Sequence, residues 1–173
     1  LRGLSLGSAN LTGADLRCAD LRGADLSSCT LTNANLAQAV ATPQTQWPPG
    51  GTPEGVLMLR PGADLQGATL RGSVLEGADL TGANLRGADL KEGSLRGTVL
   101  VGASLAGADL TGALLSYTDL TSIDLSGAKL HRARMSHSML SGANLKGATL
   151  TEVQADDADL KGADLSGASL QQA

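Results

Sequence analysis

The chain has 173 residues and a net charge of −4, long enough for a single domain and too mildly charged for a nucleic-acid binder or an acidic tail. It contains no Phe, one Trp and one Tyr, so a core built on aromatic burial is excluded and a narrow, Leu-rich, repetitive one is required. No apolar run approaches the length of a membrane span and no basic segment precedes a cleavable hydrophobic stretch, so no direct membrane insertion is expected.

The first element is a run of pentads. Leucines recur at Leu1, Leu6, Leu11, Leu16, Leu21, Leu26, Leu31 and Leu36, with Ala41 as a weak ninth position, and define a first repeat block over 1–41. Such a spacing suits neither an α-helix, where successive leucines would point all round the axis, nor a strand, where they would alternate between faces. It suits a chain that turns a corner once per pentad, so that four corners close a square coil of twenty residues with every leucine on the axis. A small residue lies two before each leucine (Ala14, Ala19, Ala24) and shares that narrow interior. Asp or Asn lies between them, as at Asp15 and Asn35, where a short polar side chain braces the corner backbone. Gly two residues after the leucine tolerates the positive φ of some turns. Stacked coils are expected about 4.8 Å apart, paired through their backbones.

The pattern A-[D/N]-L-x-x, standing here as Ala14-Asp15-Leu16, Ala83-Asn84-Leu85 and Ala163-Asp164-Leu165, resembles the pentapeptide-repeat family over the whole chain except 42–62. The resemblance implies an all-β fold, a right-handed quadrilateral β-helix (a pentapeptide-repeat solenoid) of roughly seven to eight coils with one inserted loop. Hexapeptide β-helices and leucine-rich repeats need other periods.

Residues 42–62, TPQTQWPPGGTPEGVLMLRPG, interrupt the pattern with prolines that break the ladder. The leucine register also differs on the two sides of it, so the chain is predicted to loop out here. Trp47 and the run Val56-Leu57-Met58-Leu59 read as a loop folded back on the solenoid wall, with Trp47, Leu57 and Leu59 as candidate loop contacts for a partner. The plainer role for Trp47 is to cover an exposed coil edge. The T-Q-W-P-x-G segment resembles insertions in pentapeptide-repeat proteins of photosynthetic organisms.

The second repeat block, 63–173, runs from Leu65 to Leu170 with only Met135 and Ala155 departing from Leu at the periodic position. Residues twenty apart share a face, and Asp64, Asn84, Ser104, Asp124, Asn144 and Asp164 form a polar ladder read as solvated turn chemistry. Regularity fails between 114 and 139. Corner glycines give way to Tyr117, Ser122, Arg132 and His137, and the Asp/Asn positions become Leu114, Lys129, Arg134 and Met139. Lys129, His131, Arg132, Arg134 and His137 fall on two adjoining faces as a basic patch, with Tyr117 one coil before His137 and Leu114 one coil before Arg134. An aromatic and apolar fringe beside basic residues suits a protein contact; the alternative is drift on a tolerant surface. A weaker break lies at Glu152, Gln154, Ala155, Asp156 and Asp157.

Cys18 is predicted to point outward and Cys29 inward, so no disulfide framework is expected. No phosphate-binding loop, dinucleotide fingerprint or C-x-x-C occurs, the two histidines His131 and His137 lack a third converging ligand, and a convex solenoid offers no dry pocket. The expectation is no enzyme, no cofactor and no metal.

Three functions are compatible with this reading. The first is a rigid interaction module or accessory subunit of a larger assembly. Repeats run to both ends without an amphipathic cap, so caps are expected outside residues 1–173 or on partner proteins, which would cover the coil ends or contact the loop. The second is DNA mimicry, since some proteins of the resembled family bind gyrase and protect it from quinolones. This chain departs from them in its all-Leu centres, modest charge and basic patch. The third is a passive spacer. The resemblance also implies a plastid, thylakoid-lumen or cyanobacterial setting.

Overall fold

The computed structural model describes all of residues 1–173 and divides into two compact units, Leu1–Leu59 and Arg60–Ala173. The repeat is most regular in the second unit. There each periodic leucine donates its N–H to a carbonyl nineteen residues on, as from Leu80 to Val99 and from Leu85 to Ser104, both at 2.8 Å. The residue before each leucine donates back to the preceding level, as from Asn84 to Ala63 O at 2.9 Å. The result is a stack of twenty-residue levels joined by parallel bridges, of which Asp64, Asn84, Ser104, Asp124, Asn144 and Asp164 form one unbroken column. Each pentad leaves room for a single bridged residue between corners. Extended backbone is therefore distributed over isolated bridges instead of long strands.

Every corner is closed by a hydrogen bond three residues along the chain, such as Ala83 N–H to Leu80 O at 2.9 Å. Throughout the second unit its third residue has a left-handed φ, +65° at Gly82, as a type II turn demands. The acid beside the leucine braces the turn: Asp79 Oδ1 accepts from Thr81 N–H at 3.0 Å and from the Thr81 hydroxyl at 2.6 Å. Along the polar column, neutral side chains separate like charges, with Asn84 Nδ2 donating to Asp64 at 3.0 Å and Asn144 Nδ2 to Asp124 at 3.1 Å.

Leu70, Leu75, Leu80, Leu85, Leu90, Leu95, Leu105, Leu110, Leu125 and Leu130 are fully buried and Ala88, Ala108, Ala113 and Ala128 fill the space between them. Each such leucine contributes roughly 1.5–3 kcal/mol by leaving water. Where Thr replaces the small residue, its hydroxyl finds a carbonyl on the preceding level: Thr98 Oγ1 donates to Leu75 O at 3.0 Å and Thr118 Oγ1 to Leu95 O at 3.1 Å.

The first unit uses the same bonds and then slips register by one residue. Ser5 bridges Asp25, but Asp25 bridges Gln46 rather than residue 45. Thr45 takes an inward position, 7% exposed, and its Oγ1 donates to Leu21 O at 2.8 Å. Strand β1 (Val40–Ala41) then pairs in parallel with β2 (Leu57–Met58), Val40 opposite Leu57. The expected loop over 42–62 is thus corrected: its first and last parts lie in the ladder, with Gly55 O accepting from Gln38 N–H at 2.9 Å, and only the segment around 48–54 runs outside it. Leu59, expected as a loop contact, is 2% exposed and donates its N–H to Ala41 O at 2.8 Å, so it belongs to the core. Leu57 is half-buried in β2. Trp47 is also half-buried and packs with Val56 against Leu21, Leu26, Cys29, Leu36 and Ala39. Cys18 is exposed at a corner with φ +57°, and Cys29 is buried.

Candidate functional site

The irregular surface belongs to the second unit and is organised by the twenty-residue level. Ser94, Leu114, Arg134 and Gln154 bridge in succession and form one column. On the far side of the adjacent inward leucine position, Tyr117 stacks on His137, their ring centroids 4.8 Å apart and their planes 17° from parallel. The Arg96 guanidinium lies 5.8 Å from the centre of the Tyr117 ring, within the range of a cation–π contact. Between these side chains runs an open groove of about 280 Å³, lined by Arg96, Leu114, Ser116, Tyr117, Arg134, Ser136, His137 and Gln154.

Four of the side chains singled out from sequence meet in this groove: Leu114, Tyr117, Arg134 and His137. The other four do not line it. Lys129 Nζ lies 3.6 Å from Asp109, His131 Nδ1 lies 2.8 Å from the Thr151 hydroxyl, and Arg132 Nε donates to Glu152 at 2.7 Å. Met139 is 49% exposed in another column, between Asp119 and Asp159. The basic patch expected from sequence is therefore smaller in the structure. Lys129, Arg132 and His137 each face a carboxylate one level away, the last at 3.6 Å from Asp157. The Arg132 hydrogen bond holds Glu152 below the usual glutamate range. No ion pair includes Arg96 or Arg134; Arg134 Nε donates instead to the neutral Gln154 Oε1 at 3.1 Å. Within the groove, the cations outside an ion pair are these two arginines.

Arg96 was not among the residues singled out from sequence, because it occupies a variable position of an otherwise regular pentad. The signal was present: twenty residues lead from Arg96 to Ser116, the immediate neighbour of Tyr117.

Left-handed non-glycine corners occur along the whole chain, from Cys18 to Gln172, and two of them carry the stacked rings. Tyr117, Arg132 and His137 have φ of +60°, +56° and +59°, at corners where most levels place Gly. A side chain in the left-handed region costs roughly 1–2 kcal/mol. Glu152 and Asp157 repeat the strain one level on, at +56° and +55°. No group of three or more His, Cys, Asp or Glu side chains is placed to hold a metal ion. The groove is open and offers ionic, aromatic and hydroxyl groups to a ligand.

The family model for pentapeptide repeats matches residues 1–40, 62–100, 94–132 and 128–167. The chain belongs to the pentapeptide-repeat family. Pentapeptide-repeat proteins are right-handed quadrilateral β-helices and generally non-enzymatic structural modules. HetL, a pentapeptide-repeat protein involved in heterocyst differentiation regulation in the cyanobacterium Nostoc sp. strain PCC 7120, is 32% identical over 99% of this chain and 85% of its own, with a TM-score of 0.32. A pentapeptide-repeat protein of the Arabidopsis thaliana thylakoid lumen is 35% identical over 57% of this chain; the match spans 66% of that protein, just under two thirds, with a TM-score of 0.39. QnrB1, a plasmid-mediated fluoroquinolone resistance protein, is 18% identical over 97% of this chain and 89% of its own, with a TM-score of 0.41. Comparison with curated proteins finds no match. No helix of this pentapeptide-repeat chain is long and apolar enough to cross a membrane.

Proposed function

We propose that this pentapeptide-repeat chain is a non-catalytic protein-interaction module, a scaffold or accessory subunit whose contact surface is the groove at Tyr117. The observation that carries the reading is the Tyr117–His137 stack, built on two left-handed corners with Tyr117 63% exposed. The left-handed φ at these corners recurs elsewhere in the chain, so it is the pairing of an exposed ring with a second ring that sets this place apart. An exposed ring held over a second ring, with an arginine beside it, has the composition of a binding hot spot. A solenoid wall needs none of these groups for its own stacking, since Gly at the corner would do as well.

The test is co-purification. The native protein and a Tyr117→Ala/Arg132→Ala/Arg134→Ala variant are each used as bait under the same conditions. Loss of a stoichiometric partner by a variant that still unfolds cooperatively, its midpoint lowered by no more than the few degrees the lost ring contact accounts for, supports the module. An identical set of bound proteins favours a passive spacer and overturns the assignment of the contact surface.

A further inference from the structure

Resting on that reading, we infer that the groove accepts an extended acidic segment of a partner protein, in which two carboxylates flank an apolar side chain. Arg96 and Arg134 belong to levels two apart and to columns on either side of the inward leucine position. With levels about 4.8 Å apart and about 3.3 Å per residue along the chain, their backbones are separated by about 12 Å. In an extended peptide, side chains at i and i+4 share a face and stand about 13 Å apart, with i+2 between them. A Glu-x-Leu-x-Glu arrangement therefore sets one carboxylate against each guanidinium and the leucine over Leu114 and the edge of Tyr117.

The charges within the groove favour that occupant. Both arginines are exposed and outside every ion pair, and a guanidinium takes a carboxylate through two parallel hydrogen bonds. The contact with the Tyr117 ring orients the Arg96 guanidinium before binding. Of the acids near the groove, Glu76 accepts from Ser94 Oγ at 2.7 Å and Asp157 lies 3.6 Å from His137, while Asp156 makes only a long contact with Ser136 Oγ, at 3.4 Å. Ser116 Oγ makes only a long contact with Arg134 O, at 3.4 Å, and can turn to donate to a ligand. The small volume suits a few side chains of a peptide rather than an enclosed small molecule.

The probe is a fluorescein-labelled peptide, Gly-Glu-Ser-Leu-Ser-Glu-Gly, titrated against the whole chain and followed by anisotropy. Controls are the same peptide with both Glu replaced by Gln, inorganic phosphate as competitor, and a short DNA duplex. The expected result is saturable binding to the acidic peptide. Arg96→Gln/Arg134→Gln should weaken it at least tenfold, as should the Gln peptide, while Arg96→Lys/Arg134→Lys loses less. Equal affinity of the double Gln variant, equal affinity of the Gln peptide, or no binding of the acidic peptide overturns the inference. So does competition by phosphate at the peptide's own concentration, which marks a general anion site, or tighter binding of the duplex. If the peptide fails while the Tyr117 variant still loses its native partner, the interaction module stands and the acidic ligand falls.

Discussion

Arg22 lies against Asp20 in a forked contact, Nε to Oδ1 at 2.9 Å and Nη2 to Oδ2 at 2.6 Å, with the arginine 5% exposed and its carboxylate 34% exposed. The Asp20 carboxyl also accepts from the Arg22 N–H at 3.1 Å, so one acid braces its corner and neutralises a buried cation. Burial pushes Asp20 up, but these bonds outweigh it and hold the group below the ordinary value of 3.8. Asp20→Ala removes the forked carboxylate from a buried guanidinium and should cost about 2–3 kcal/mol, below the range for a broken fully buried pair because the acid is partly solvated. Urea denaturation should show it. A loss under 1 kcal/mol would mean that the forked contact adds little to what else holds the Arg22 guanidinium.

The corners make a prediction of opposite sign. Ser122 has φ +55° and is exposed. Ser122→Gly relieves the left-handed strain, and after the greater backbone entropy of Gly in the unfolded chain it should stabilise by about 0.5 kcal/mol. Gly82→Ala, at φ +65° with open space around its Cβ position, should destabilise by about 1 kcal/mol, since conformation and not a clash decides the outcome. Thermal midpoints of both variants measured side by side would settle the sign.

The acids beside the leucines give the protein a defined acid limit. The Arg17 side chain and backbone hold Asp15 at about 2, and the Thr81 and Ser166 hydroxyls and N–H groups keep Asp79 and Asp164 below the ordinary 3.8. Folded carboxylates with lowered values bind protons less readily than unfolded ones. Their stabilisation is therefore complete above 3.8 and is lost as pH falls through the folded values, down to about 2 for Asp15. Melting midpoints should be level from neutral pH to about pH 5 and decline below 4. A midpoint that rose on acidification would contradict the bracing role of these groups.

The shaft tolerates little loss of volume. Leu90 is fully buried among leucines and alanines, and Leu90→Ala should cost about 2–5 kcal/mol. Val101, 57% exposed, should change stability by under about 0.5 kcal/mol on replacement with Ser. Parity between the two variants in denaturant would mean that the stack closes over the missing side chain.

Tyr117 and His137 should be coupled. In a double-mutant cycle with Tyr117→Ala and His137→Ala, the interaction term should be about 0.5–1.5 kcal/mol, the range for aromatic pairs. Strict additivity would show that the rings merely lie near one another.

The pentad spacing of Leu and Ala determined the levels, the turns and the columns. Once the chain advances one level in twenty residues, i and i+20 must be neighbours, and for that reason Tyr117 over His137 and Leu114 beside Arg134 were legible without coordinates. The bracing acids were legible too, because an Asx turn needs only local chain. Only the tertiary structure decided where charge survives. Whether Lys129 meets Asp109 while Arg134 meets Gln154 depends on side-chain reach between levels at positions the repeat leaves free, and the same freedom hid Arg96. The path through 42–59 was likewise decided in three dimensions. Asp25 pairs twenty-one residues on, with Gln46, and Val40 pairs seventeen on, with Leu57, and the buried Thr45 hydroxyl bonded to Leu21 O beside them is a long-range contact that no local pattern encodes.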